Sequence, residues 1–312
     1  MGADVTAPDF VRGFQIEGMN VRGRVVRLTD LADRVITAHA YPDSVSRVVG
    51  EALALVALLG ASLKFEGTLT LQTRSDGPLR MVVADFISPG TLRACATFDR
   101  DAVGALGPLP IFSELVGKGS LAITIDPGGD MERYQGIVAL DGEGLADGAT
   151  SYFDNSEQIP TRIKLSVATL TARGTAEPRP RWRVGGAIIQ NLAALGGHGS
   201  PQPLDDSSED WTRASMLFST VEPHELVDPQ VEAERLLFRL YHEDGVRVFE
   251  TLPLQFGCRC SAERVVSVLS QYPEAEVRAL VEADGAISAT CEFCSTVYRF
   301  QPDEIAAQSA RT

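Results

Sequence analysis

The chain has 312 residues, 44% hydrophobic and 22% charged, with 28 Gly and 17 Pro, an ordinary composition for a folded protein long enough for two domains. Its 28 Lys plus Arg against 42 Asp plus Glu leave a formal charge of −14 at pH 7, which argues against a broad phosphate-binding surface and so against a nucleic-acid partner. Five cysteines are too few to staple a chain of this size, yet four of them fall between Cys258 and Cys294.

The opening MGADVTAPDF has no basic stretch leading into an apolar run, so no secretory signal is expected, and the match of Gly2 and Thr6 to a myristoylation pattern is read as chance. The longest apolar run, residues 52–61, is about half of the roughly 20 residues a membrane helix needs. The expectation is a cytoplasmic protein without membrane contact, where thiols serve as metal ligands or redox sensors more often than as disulfides.

From residue 10 onward, short alternating or β-branched segments predict strands at 10–18, 21–29, 67–74, 80–87, 91–98, 120–126, 134–140 and 161–170. A long helix over about 44–63, with Ser44 as its N-cap, interrupts them. Together they predict an α+β domain over 1–195 with a mixed sheet. Cys95 alternates with strand neighbours and reads as a core or sheet residue. Gly117-Lys118-Gly119-Ser120 imitates a phosphate loop, but Phe112 stands where its first glycine belongs, so a strand and loop are expected there.

Residues 196–210 (GGHGSPQPLDDSSED) are turn formers with little apolar content, and 196–250 is read as a linker. Charge divides at the same place, −3 over 1–200 and −11 over 201–312. A helix is expected from about Asp228, with Pro229 in its first turn. Ala233, Leu236, Leu237, Leu240 and Tyr241 form its apolar face, and Phe238 falls toward the polar side. With Met216, Leu217 and Phe218 they either pack on the first domain or form a surface that is uncovered when the linker lets go.

The last module, 251–312, holds Cys258-Arg259-Cys260 and, thirty residues on, Cys291-Glu292-Phe293-Cys294. Two close pairs far apart in sequence suit one tetrahedral ion, for which zinc with four thiolates is the best match; ligand type alone leaves iron open. Such a site is closed, with no position for an activated water, so hydrolysis is not expected. Ser261 is placed to cap a helix through ERVVSVLSQ, PEAEVRALVEADG is a second helical stretch, and AISAT and TVYRF flank the second pair as strands. A module this small should depend on its metal, and Arg259, Arg264 and Arg299 can offset the charge of four thiolates. The four histidines, His39, His198, His224 and His242, are scattered, and no GxSxG elbow is present, so no catalytic set is expected.

Taken together, CRC at 258–260, CEFC at 291–294, HEDGVRVFE at 242–250, YFDNSEQIPTRIKL at 152–165, GGAIIQ at 185–190 and LQTRSDGPL at 71–79 resemble the heat shock protein 33 family, redox-regulated bacterial holdases, over nearly the whole chain. Residues 171–183 look like an enlarged loop, and Cys95 lies outside the family pattern. The resemblance implies a non-enzymatic, ATP-independent chaperone of the oxidative stress response, with one Zn²⁺ per chain on Cys258, Cys260, Cys291 and Cys294 when reduced. It further implies activation by Cys258–Cys260 and Cys291–Cys294 disulfides with zinc release, dimerisation on activation, and unfolding client proteins as partners. Met216, Leu217, Phe218, Leu236, Leu237, Phe238 and Leu240 become the candidate client surface. A thiol-disulfide oxidoreductase and a module with a purely structural zinc are the competing readings.

Overall fold

Alternation of apolar residues builds most of the strands, and the computed structural model describes residues 8–63, 66–129, 131–171, 179–192 and 209–309. Residues 196–208 of the expected linker and 172–178 of the expected loop lie outside the described residues. The chain divides into two compact units, residues 1–256 and 257–312.

In the first unit, β1 (Phe10–Ile16) and β2 (Val21–Leu28) precede α1 (Asp30–Thr37) and the long α2 (Asp43–Gly60). Next come β3 (Thr68–Ser75), β4 (Leu79–Ile87), β5 (Thr91–Phe98), the short helices α3 (Arg100–Ala105) and α4 (Phe112–Val116), then β6 (Gly119–Asp126) and β7 (Tyr134–Leu140). α5 (Leu145–Tyr152) runs into a π-helical turn over Phe153–Glu157, followed by β8 (Thr161–Thr171) and β9 (Pro180–Asn191). α6 (Glu209–Ser219), α7 (Pro223–Val227), α8 (Ala233–Tyr241), β10 (Val246–Pro253) and β11 (Gln255–Phe256) complete it. The second unit holds α9 (Ala262–Leu269), α10 (Glu274–Ala279), β12 (Ile287–Thr290), β13 (Val297–Phe300) and α11 (Pro302–Ser309).

Two sheets organise the first unit. One has the order β10-β1-β2-β9-β8 and is antiparallel throughout; the other runs β11-β5-β4-β3-β6-β7, with β11 parallel to β5. The apolar α2 touches strands of both sheets, and Val49, Leu53, Val56 and Leu58 are buried in the core it forms with Leu28, Val184, Phe86 and Leu92. The opposite face of the first sheet is also apolar: Phe14, Ile16, Val25, Ala187 and Ile189 are covered by Trp211, Phe218, Leu226, Leu236, Leu237, Leu240 and Tyr241 of α6, α7 and α8. A sheet buried on both faces reads as a continuous apolar run, not an alternation. That is why β9 escapes the list of expected strands.

Gly185 on β9 is needed for this covering, since a Cβ there would stand 2.0 Å from the Leu226 carbonyl oxygen. Three boundaries differ from the sequence expectation. α2 starts at Asp43 with Pro42 at its N-cap and no side-chain cap, and Ser44 lies buried in its first turn. The amphipathic helix starts at Ala233, not near Asp228; the proline suited to a first turn is Pro223, at the start of α7. Residues 246–256, placed at the end of the linker and the start of the cysteine module, pair as β10 with β1 and as β11 with β5. No helix among the described residues is long and apolar enough to cross a membrane.

The second unit has its own small core of Val277, Ile287, Phe300 and Ile305, joined by partly buried Val265, Val266, Leu269 and Tyr298. β12 and β13 form its antiparallel hairpin.

Burial pushes the Glu51 carboxyl on α2 up to about 7, with Arg47 opposing and Asp147 reinforcing the shift. A carboxyl whose folded value is raised stabilises the fold below its unfolded value, and that contribution is lost as pH rises through about 7. Glu51→Gln is therefore expected to gain about 1–2 kcal/mol over the parent at pH 8 and nothing at pH 4, read by urea unfolding. An equal difference at both pH values would refute the assignment.

Candidate metal centre

The first cysteine pair follows β11 directly, with Gly257 between Phe256 and Cys258. Ser261, extended at φ −152°, accepts a hydrogen bond from Arg264 N and caps α9, which fixes the chain just beyond Cys260. The Arg264 guanidinium also donates to the Arg259 carbonyl at 2.7 Å, tying the helix to the peptide between the two thiols. The second pair sits in the loop joining β12 to β13. Cys291 N donates to Thr296 O at 2.9 Å and Ser295 N to Cys291 O at 2.8 Å, and Ser295 takes the left-handed φ of 56° that closes the turn.

These two loops bring the four predicted sulfurs together, all within 4.8 Å of one another. None is in a disulfide, and each residue is partly exposed. Two close approaches cross between the loops, Cys258 to Cys291 at 3.6 Å and Cys260 to Cys294 at 3.4 Å. Four ligands about 2.3 Å from one tetrahedral centre stand about 3.8 Å apart, so the cluster has the dimensions of a four-thiolate metal site. All four donors are soft sulfur, which suits zinc and disfavours oxygen-seeking ions.

Two further side chains touch the cluster. Tyr298 donates its hydroxyl to Cys260 Sγ at 3.1 Å, and Cys294 Sγ lies 3.2 Å from Thr296 Oγ1. Neither was singled out from sequence, although their spacing of two along the strand entry is a legible signal. Burial pushes the Cys291 thiol up to about 12. Burial acts the same way on Cys294, but the side chain and backbone of Thr296 together with Cys260 and Cys291 outweigh it and hold that thiol at about 7. Of the three arginines expected to offset the thiolate charge, Arg299 is paired with Asp284 and Arg264 is engaged with the Arg259 carbonyl.

The apolar residues expected near the linker divide in two. Phe218, Leu236, Leu237 and Leu240 are buried against the first sheet, with Leu217 partly buried beside them. Met216 and Phe238 remain exposed at 66% and 64%, and the Phe238 ring packs on His242. Cys95 is buried in β5.

Comparison with known proteins places these features in context. A family model described as Hsp33 protein matches residues 9–301. A 33 kDa chaperonin of Caulobacter vibrioides is 44% identical over 298 residues, spanning 94% of this chain and 95% of the relative. One from Ectopseudomonas mendocina is 38% identical over 299 residues, spanning 96% and 94%. Among solved structures, the 33 kDa chaperonin of Thermotoga maritima matches with a TM-score of 0.76 over 98% of this chain and 99% of that one, at 22% identity, a likeness of fold.

Removing the Tyr298 hydroxyl deletes one hydrogen bond to sulfur and leaves the ring packed. Tyr298→Phe is expected to weaken metal retention by about 0.5–1.5 kcal/mol, roughly threefold to tenfold, in competition with a chromogenic chelator. Retention equal to the parent would show that the hydroxyl does not support the cluster.

Proposed function

The chain belongs to the Hsp33 family, and from that premise we propose that it is a redox-regulated, ATP-independent holdase of the cytoplasm, without enzymatic turnover. In the reduced chain Cys258, Cys260, Cys291 and Cys294 hold one zinc ion, which supplies a cross-link for the second unit and keeps the sulfurs ionised and reactive toward oxidants.

Oxidation joins Cys258 to Cys260 and Cys291 to Cys294. Each new S–S bond gives up two electrons, which with two protons turn one peroxide into two waters. No sulfur then remains as a ligand. Among the described residues the second unit is left with a core cluster of four buried apolar side chains, and the apparent 10–16 kcal/mol typical of a structural zinc is withdrawn from a fold too small to replace it.

Loss of order passes back along the chain. Cys258 lies two residues from β11 and five from the end of β10, and both are edge strands of their sheets. Once they peel away, α6 to α8 lose a flank, and Phe218, Leu236, Leu237 and Leu240 join exposed Met216 and Phe238 as a surface for unfolding proteins. The same newly exposed area favours pairing of two activated chains. The observation that carries this reading is the closure of four thiols within 4.8 Å around a unit with so small an apolar core.

Peroxide at raised temperature is expected to release one zinc per chain, consume four thiols and switch on suppression of client aggregation. Full suppression by the reduced form, or zinc release without suppression, would overturn the reading. Cys291→Ser with Cys294→Ser is expected to lose zinc and all redox dependence. Normal zinc retention in that variant would show the ligand set to be wrong, and turnover of a disulfide substrate by the parent would favour an oxidoreductase.

A further inference from the structure

A π turn at the end of α5 gathers two tyrosines around one carboxylate. Residues five apart on an α-helix point about 140° from each other, whereas a π turn, with its i to i+5 hydrogen bonding, brings them to one face. Tyr152 and Glu157 are so related across the turn of Phe153–Glu157, which ends at Gln158 with a left-handed φ of 56°. The Tyr152 hydroxyl donates to Glu157 Oε1 at 2.5 Å, and the Tyr134 hydroxyl, from β7, donates to the same oxygen at 2.7 Å. Burial and the hydrogen bonds to Glu157 and Tyr134 raise the proton affinity of the Tyr152 hydroxyl, so it stays a donor. Gly136 on β7 makes room for the arrangement, since a Cβ there would stand 2.1 Å from the Tyr152 ring.

These three side chains line one end of a cavity of about 310 Å³, the size of a small-ligand pocket. The rest of its wall is mainly apolar: Leu59 from α2 and Leu63 just beyond it, Leu69 from β3, Ile123 and Ile125 from β6, and Phe153 from the π turn. Two neutral hydroxyls orient the carboxylate without neutralising it. Among the described residues, Glu157 Oε2 accepts no hydrogen bond and no basic side chain pairs with the carboxylate. Arg133, next to Tyr134 in the chain, is paired with Asp126, and Arg162 with Asp154. A fixed anion beside an apolar wall is complementary to a cation that carries apolar surface.

We propose that this cavity binds a protonated primary amine on a compact apolar body, with the ammonium at Glu157 Oε2 and the body against Leu59, Leu63, Ile123 and Ile125. An ammonium has three donors and no acceptor, which suits a carboxylate whose other oxygen already takes two O–H bonds. Its bond to Glu157 is charge-assisted, whereas an alcohol offers only a neutral one. A ligand so placed touches the end of α2, the six-stranded sheet and the π turn together, and it therefore stabilises the first unit by linkage. The site uses no residue of the metal cluster or of the covering helices, so it stands apart from the holdase reading.

Cyclohexylammonium is the probe, titrated calorimetrically at neutral pH into the reduced, zinc-loaded full-length protein. Saturable one-to-one binding with a Kd of about 1 mM or tighter is expected. Glu157→Gln keeps the shape of the half-buried side chain and removes its charge, and Ile125→Trp fills the cavity without touching a charge. Each is expected to weaken binding by at least about tenfold. Undiminished binding to either folded variant, or no saturable binding to the parent, would overturn the site; if Ile125→Trp does not fold, Glu157→Gln decides alone. Cyclohexanol binding as tightly as the amine would refute recognition of the cation, and methylammonium binding as tightly would refute the apolar body. The probe is also expected to raise the melting temperature of the parent more than that of Glu157→Gln. An equal rise in both would place the amine elsewhere on the molecule.

Discussion

Four sulfur atoms occupy the place in the second unit that a hydrophobic core holds elsewhere. In the first unit, α2 and two sheets bury a continuous apolar interior, whereas the second relies on Val277, Ile287, Phe300 and Ile305 and on the convergence of Cys258, Cys260, Cys291 and Cys294. Ordering a residue costs about 1–2 kcal/mol in backbone entropy, so a unit with so few buried side chains leans on a strong local cross-link. A cross-link made by thiolates is also one that an oxidant can undo. On the proposed reading, stability and sensing fall to the same atoms.

The first sheet supplies the complementary device. One face is sealed against α2, and the other is covered by α6 to α8, which follow the chain's most acidic and turn-rich stretch. Covering helices held by an apolar face can be released without opening the principal core, because Leu53, Phe86 and Val184 do not depend on Leu236 or Leu240 for their burial. Under the proposed mechanism, the charge of −11 over residues 201–312 adds self-repulsion once that part of the chain is freed, and helps an apolar surface stay soluble.

Much of this was legible in the residues. The eight strands expected in the first domain and the two expected around the second cysteine pair all form, because each alternates or is bounded by turn formers, and the convergence of the four cysteines follows their spacing. Of the strands not expected, the two-residue β11 is too short to leave a pattern, and β9 and β10 escaped for opposite reasons. β9 is buried on both faces and interrupted by Gly185 and Gly186, so period-two alternation is absent; Gly185 is there for the passage of α7, a tertiary fact. β10 is an edge strand of largely exposed residues whose partner, β1, lies more than 200 residues away. The misplaced starts of α2 and α8 have one cause: a plausible capping residue or proline marks where a helix can begin, while packing decides where it does. Tyr298 and Thr296 went unnoticed because a strand pattern specifies a face but not that the face meets sulfur.

The central claim is that the metal cluster and the covering helices form one releasable system distinct from the principal core. Residue-resolved hydrogen exchange before and after peroxide tests it directly. The account predicts that protection collapses in 257–309 and in α6 to α8 and β10, while α2, β3 and β4 keep theirs. Loss confined to 257–309, with α8 still protected, would contradict it, as would uniform loss through α2.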